Sequence, residues 1–362
     1  MDPGDDVRYP STPNEKVTPL TYFSEHPDAV VETITTANDC DTYGILNQLP
    51  SRPTSYHLGV SHSIGHRSTM EDSHGFVYDF DSIRGQGLFA IFDGHGNKLA
   101  AEWAGGEFHK HLLQQIHEKP NAPINPDIME AMFKSMDDEL SAQSIKSANW
   151  AASGCTAAIA FLRLEDPDGF QPFAPSSSPA FLEYYKPNSP KPDTPPPKIP
   201  AVISPVSARR VLYCANAGDT RIVLCRDGKA ERLTYDHKVS DKPEFNRVRG
   251  LKGVFWRGRI LGQLNVTRSL GDHESQQGYS IKKFVIGTPH LTKTDLSDTD
   301  EFFIIACDGL WDVVEDQEAI DLIRNVQDPQ VASKMLLDLA LKNDTHDNVT
   351  ALVVRLNFAK GT

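Results

Sequence analysis

The chain has 362 residues, 39% of them hydrophobic, and a formal net charge of −13. That length and apolar content support one large core or two modest ones. The acidic balance excludes a sequence-independent nucleic-acid binder, which needs clustered Lys and Arg, and no apolar run approaches the roughly 20 residues that cross a bilayer.

Residues 1–55 are rich in Pro, Thr, Asp and Asn with little periodicity, and read as a mostly disordered arm. Met1–Pro10 lacks the basic, apolar pattern of a signal segment. Regular structure is expected from about Tyr56 to residue 358, as one catalytic domain. Leu88–Phe92, Thr156–Leu164, Val211–Ala215, Arg221–Cys225, Phe302–Cys307 and Val349–Leu356 read as buried strands. Asn97–His117, Pro126–Lys146, Asp316–Asn325 and Pro329–Lys342 carry helix-spaced apolar residues. Between two strands, a stretch from about Asp166 to Ala208 holds twelve of the chain's 25 prolines. Proline fixes φ and lacks a ladder donor, so this is an inserted loop. It reads as a solvated insertion, with a partner-docking segment as the alternative. Val211–Ala215 and Arg221–Cys225 flank the turn Asn216–Thr220 like the arms of a hairpin. Hairpins need antiparallel sheet, so packed sheets flanked by helices fit better than a doubly wound parallel fold. The five cysteines are odd in number and not closely spaced, and three lie in apolar runs. That favours reduced, buried thiols and a cytoplasmic or nuclear location.

The aspartates carry the chemistry. Leu88–Phe92 runs straight into Asp93-Gly94-His95-Gly96, and Phe302–Cys307 into Asp308-Gly309-Leu310-Trp311-Asp312. Asp347-Asn348 immediately precedes the last strand, Asp219 sits in the 216–220 turn, and Glu71-Asp72 lies between two β-like segments. A single such Asp is ordinarily a turn former. Several at the ends of separate apolar strands are different, because adjacent strand ends lie only about 5 Å apart, so such carboxylates can converge on one rim. Like charges at that spacing raise one another's pKa unless cations neutralise them. Oxygen-only ligands favour Mg²⁺ or Mn²⁺ over Zn²⁺. Gly94 and Gly309 are expected to let the main chain turn sharply beside the ions, with the Gly94 carbonyl as a candidate ligand.

Seven segments in order resemble the motifs of the type 2C, or PPM, protein phosphatases. They are Arg67–Asp72, Asp93–Gly96, Gly154–Thr156, Gly218–Arg221, Leu264–Asp272, Asp308–Asp312 and Asp347-Asn348. The resemblance implies an α+β fold, a four-layer α-β-β-α sandwich of two antiparallel sheets flanked by helices. It implies a protein serine/threonine phosphatase using a water held between two Mg²⁺ or Mn²⁺ ions, with a weaker third ion. Position by position, Asp93 bridges two metals, Gly94 gives its carbonyl, and Asp308 and Asp347 complete the first shell. Glu71 and Asp72 hold coordinated waters or bind directly. Asp219, with Asp308 and Asp312, matches the third-metal site. Arg67 matches the phosphate-binding arginine and His95 the general acid. Asn97 departs from the family's usual Gly, although Asn also caps helices well. Leu233–Lys238 and Cys307–Val313 look most like the small fungal members that act on stress-activated MAP kinase signalling. That implies phosphorylated proteins, MAP kinases among them, as partners of a monomer. The basic stretch from Lys242 to Leu261 is the expected source of substrate preference.

Two other functions are weighed against this one. A non-catalytic binding module would have lost ligands, yet Asp93, Asp308 and Asp347 are all present. A hydrolase of small phosphomonoesters or nucleotides would more naturally carry a Gly-rich phosphate cradle, and GxxxxGK[ST] is absent. A thiol mechanism lacks its Cys-x5-Arg loop.

Overall fold

The computed structural model describes residues 29–37, 40–47, 56–78, 80–82, 85–118, 126–166, 168–169, 209–273 and 280–356. Its strands are β1 (Ala29–Ala37), β2 (Cys40–Asn47), β3 (Tyr56–Ser63), β4 (Ser73–Tyr78), β5 (Gly87–Phe92), β6 (Gly94–His95), β7 (Gly154–Cys155), β8 (Ala157–Glu165) and β9 (Arg209–Ala217). They continue with β10 (Arg221–Arg226), β11 (Lys229–Arg232), β12 (Phe255–Trp256), β13 (Arg259–Ile260), β14 (Leu270–Gly271), β15 (His290–Asp295), β16 (Asp300–Ala306) and β17 (Val349–Leu356). The α-helices are α1 (Leu99–Glu118), α2 (Pro126–Ser144), α3 (Ala148–Ala151), α4 (Lys242–Gly250), α5 (Asp308–Trp311), α6 (Asp316–Ile323) and α7 (Pro329–Lys342).

Two antiparallel sheets dominate. One has the order β1-β2-β3-β17-β16-β10-β11, the other β15-β9-β8-β5-β4. Their central strands, such as β5, β8, β16 and β17, read as largely apolar runs because both faces are buried, as layers on either side require. In β5, Phe89 and Ile91 point between the sheets, while Leu88, Ala90 and Phe92 point to α1 and α2. In β16, Phe303 and Ile305 face the same inter-sheet layer, and Phe302, Ile304 and Ala306 lie against α6 and α7. This alternation builds three cores and gives the four-layer α-β-β-α order. A fourth, smaller cluster of Val239, Val248, Ile260, Ile281, Phe284 and Val285 supports a flap beside the sandwich.

The expected helices and strands are present, with three differences. First, β9 and β10 are not hairpin partners: β9 pairs with β8 and β15, and β10 with β11 and β16. The turn between them crosses from one sheet to the other, because each strand buries both faces and finds its ladder in its own layer. Asn216 holds the crossing, its amide donating to the carbonyls of Gly218 and Tyr235. Second, α4 falls in the basic stretch, started by Asp241, whose carboxylate accepts the Glu244 amide, and by Pro243 in the first turn. Third, β1 and β2 pair with each other, and β2 with β3, inside the stretch read as an arm. The rest of that stretch, and the Pro-rich residues 170–208, lie outside the described residues.

Helix α7 packs so closely on β3 that Gly59 is required: a Cβ there would lie 2.2 Å from the backbone of Pro329 and Gln330. Gln330 returns the contact, donating to the Val60 carbonyl at 2.8 Å. Gly59→Ala is expected to destabilise the fold by about 1–3 kcal/mol through overpacking. Gly106→Ala, in α1 with open space around it, is expected to stabilise by about 0.4–1 kcal/mol. Urea-unfolding midpoints of the two variants check the contrast.

Candidate metal centre

Strand register collects the acidic residues at one end of the sandwich. Phe92, the last residue of β5, faces Ser73, the first of β4, and Ala306 at the end of β16 faces Arg221 at the start of β10. Val349 at the start of β17 faces Ser63 at the end of β3. The residues flanking those positions therefore share a rim. They enclose a cavity of about 230 Å³ whose walls include Arg67, Glu71, Asp93, Gly94, His95, Asp219, Asp308 and Asp347. Of the ten candidates, Asp72 stands behind the wall, and Asp312 lies outside it, tied to Lys238.

The carboxylates are close and poorly solvated. Oxygens of Asp93, Asp219 and Asp308 lie within 4.8 Å of one another, and Asp72, Asp93 and the Cys307 sulfur form a second such group. Burial, then the charges of Asp308, Asp72, Asp219 and Asp347, push the Asp93 carboxyl well above the usual range. Asp308 is raised likewise by burial, then by Asp219, Asp312 and Asp347. Burial lifts Asp72 to about 6, although its Oδ2 accepts the Thr350 hydroxyl at 2.6 Å. Two like charges 4 Å apart repel by roughly 4 kcal/mol at an effective dielectric of 20. The all-oxygen set of Asp93, Asp219 and Asp308 under that strain fits divalent cations bound by carboxylate.

The glycines serve packing rather than a turn. Neither Gly94 nor Gly309 has positive φ, contrary to the expected sharp turn. A Cβ on Gly94 would lie 2.2 Å from the Glu71 carbonyl oxygen, and one on Gly309 would lie 1.9 Å from that of Asn348. Two chain segments thus pass main chain against main chain to bring their acids together. Gly96 makes the actual turn, at φ 77°, and Asn97 accepts the Leu99 amide at 3.0 Å at the start of α1.

Arg67 lines the cavity half-exposed, its Nη2 2.6 Å from Asp347 Oδ2 and its Nε donating to the His346 carbonyl. His95 Nε2 lies 2.7 Å from Asp272 Oδ2. Burial alone would depress the imidazole, but the charge and hydrogen bond of Asp272, with the charges of Asp219 and Glu71, hold the pKa above the ordinary 6.5. Asp272 itself is held low despite burial by His95, Ser269 and Lys282.

Sequence reasoning assigned no role to four residues that organise this site. Asp272 closes the Leu264–Asp272 motif, yet its side-chain partner is 177 positions away in the chain. Asn348 accepts the Glu71 amide and donates to the Ile64 and Thr69 carbonyls, pinning the 64–71 loop to β17. Glu244 gathers Arg268, Thr267 and Arg247, which overcome its burial and hold it down to about 2. It fastens the flap helix to the cavity wall. Lys238 reaches Asp219 on the rim and Asp312 outside the cavity wall. No local signal marks such pairings beyond the polar residue types themselves. Cys155 and Cys307 are buried thiols pushed well above the ordinary cysteine range, first by burial, which leaves no reactive thiolate here. Trp311 is core, donating to the Ala306 carbonyl.

Comparison with known proteins agrees with this geometry. The protein phosphatase 2C family model matches residues 56–166 and 200–349. Protein phosphatase 2C homolog 1 of Schizosaccharomyces pombe is 38% identical over 324 residues, covering 89% of this chain and 79% of that protein. Its namesake in Saccharomyces cerevisiae is 37% identical over 304 residues, covering 83% and 94%. In fold, the chain is similar to a serine-threonine phosphatase 2C from Toxoplasma gondii, with TM-score 0.61 at 18% identity, covering 83% of this chain and 95% of that one. The chain belongs to the protein phosphatase 2C family: it is a metal-dependent protein serine/threonine phosphatase.

In metal-free protein, NMR titration should place the His95 midpoint above 6.5, and Asp272→Asn should lower it. The sign follows from linkage. A raised pKa stabilises the fold fully below the ordinary value, and that contribution is lost as pH rises through the folded value. Asp272→Asn therefore costs more stability at pH 6 than at pH 9, read from paired unfolding curves.

Proposed function

We propose that this chain hydrolyses phosphoserine and phosphothreonine esters on stress-pathway kinases, with Mg²⁺ or Mn²⁺ as its ions. The convergence of Asp93, Asp308, Asp219 and Asp347 on one cavity carries this reading. Asp93 lies centrally enough to serve two cations, with the Gly94 carbonyl beside it. Asp308 and Asp347 would hold one of the ions with it, and Glu71 and Asp72 would contribute from the loop before β4. A pair of divalent ions, when bound, lowers the pKa of a shared water and supplies the nucleophile.

The chain's own groups do the rest. Arg67, 2.6 Å from Asp347 and lining the cavity, would offer two parallel guanidinium donors to the phosphoryl oxygens. His95, kept protonated by Asp272, donates its proton to the departing serine or threonine oxygen, a poor leaving group without it. No side chain needs to be phosphorylated. The flap supplies preference: Arg259 lines the cavity, while Leu251, Val254 and Trp256 are 39%, 60% and 64% exposed on the same segment. The kinase substrate rests on the likeness of Leu233–Lys238 and Cys307–Val313 to the small fungal members of the family. We take the enzyme to work as a monomer in the cytoplasm and nucleus; among the described residues no helix is long and apolar enough to cross a membrane.

Phosphate release from a phosphothreonine peptide should need Mn²⁺ or Mg²⁺ and stop on chelation. Asp308→Ala should lose more than about 100-fold, since even residues behind the ligands typically cost 10–100-fold. Metal-independent turnover, or an active Asp308→Ala variant, would refute the two-ion reading. Trp256→Ala should raise KM for a phosphorylated stress MAP kinase with little change in kcat. Survival of that kinase's activation-loop phosphothreonine, while other phosphoproteins are cleaved, would eliminate the kinase assignment.

A further inference from the structure

We propose that the Lys238 ammonium is a built-in cation at the third ion position, setting how weakly a third divalent ion binds there. This rests on the metal-dependent reading of the same acidic rim. Nζ lies 2.6 Å from Asp312 Oδ1 and 3.4 Å from Asp219 Oδ2. Asp219 is at once a member of the Asp93–Asp219–Asp308 cluster and the partner of this lysine. The ammonium therefore spans from the cluster's buried acid to the exposed Asp312, whose side chain is 54% exposed.

This is not a surface lysine settling on the nearest acid. The His237 amide donates to the Gly218 carbonyl at 2.9 Å, fixing the residue before Lys238 to the turn that carries Asp219. Lys238 itself makes a backbone bridge to Val266, and the Val239 amide donates to the Asn265 carbonyl at 2.8 Å. Asn265 and Val266 are cavity wall. The backbone is thus held at Lys238 and on both sides, with the ammonium at Asp219 and Asp312. Its charge reaches further than its two contacts, favouring the ionised forms of Asp219 and Asp308.

An ion recruiting Asp219, Asp308 and Asp312 must either displace Nζ from Asp312 or sit beside a like charge. Magnesium makes the conflict sharper, since it demands near-octahedral oxygen ligation and gives up water reluctantly. The lysine thereby separates the ions into two classes. The lysine touches none of Asp93, Asp308 and Asp347 that would hold the pair, whereas the third competes with it directly. The lysine also partly neutralises the rim before any third ion arrives.

The test counts ions directly rather than through catalysis. Metal-free wild type, Lys238→Met and Lys238→Gln, with folding checked by circular dichroism, are titrated with Mn²⁺, and free ion is read by electron paramagnetic resonance. Wild type should bind two ions tightly and a third weakly. Both variants should keep the two tight ions and bind the third at least about tenfold more tightly, as removal of a nearby positive charge implies. Lys238→Arg should stay close to wild type. Without metal, Lys238→Met should melt lower than wild type, and Mn²⁺ should close the gap. A third-ion affinity that is unchanged or weaker, with the tight ions intact, overturns the proposal. Absence of tight ions from the wild type overturns the metal reading beneath it as well.

Discussion

Everything at the functional end of this protein depends on a repulsion. Asp219 is buried and Asp93 and Asp308 are half-buried within a few ångströms of one another, where their mutual charge and lost hydration oppose ionisation. Hydrophobic burial across three layers holds the rim in place against that opposition. Close main-chain passages at Gly94 and Gly309 leave the acids little room to separate. The site is a rigid arrangement whose charge is balanced from outside the carboxylate set, by ions and by Lys238.

Around this centre the chain adds polar pairs that set direction rather than charge. Asp272 fixes His95, Asn348 fixes the 64–71 loop, and Glu244 fixes the flap. Each joins segments distant in sequence, and each is partly or wholly buried, where an unmet partner is costly. They are the reason a loop-built cavity presents a defined wall.

Much of the fold was legible because doubly buried strands have a distinctive texture. Leu88–Phe92 and Phe302–Cys307 could hardly be anything else, and the acids that follow them are visible as interruptions. The regular helices announced themselves by apolar spacing. What the sequence hid was of two kinds. Edge elements with mixed polarity, such as β11 and β15, carry little pattern because only one side is laddered or covered. Pairings that depend on which layer a strand joins were also hidden: Val211–Ala215 and Arg221–Cys225 look like one hairpin, yet belong to different sheets. The ligand candidates were readable as residues, whereas Asp272 and Lys238 needed three-dimensional proximity to acquire a meaning.

The crossing between β9 and β10 has a wider consequence. Asp93 leaves the sheet containing β5, Asp308 and Asp347 border strands of the other sheet, and Asp219 sits on the link between them. Any ion held by this set is a bolt through both layers. Because such a ligand binds the native chain and not the unfolded one, its concentration becomes a stability variable, with each hundredfold excess over its dissociation constant adding about 2.7 kcal/mol. The sandwich is then sealed by apolar packing along its length and by ion supply at its mouth. Scarcity of the ion weakens the enzyme's architecture and its chemistry at the same place.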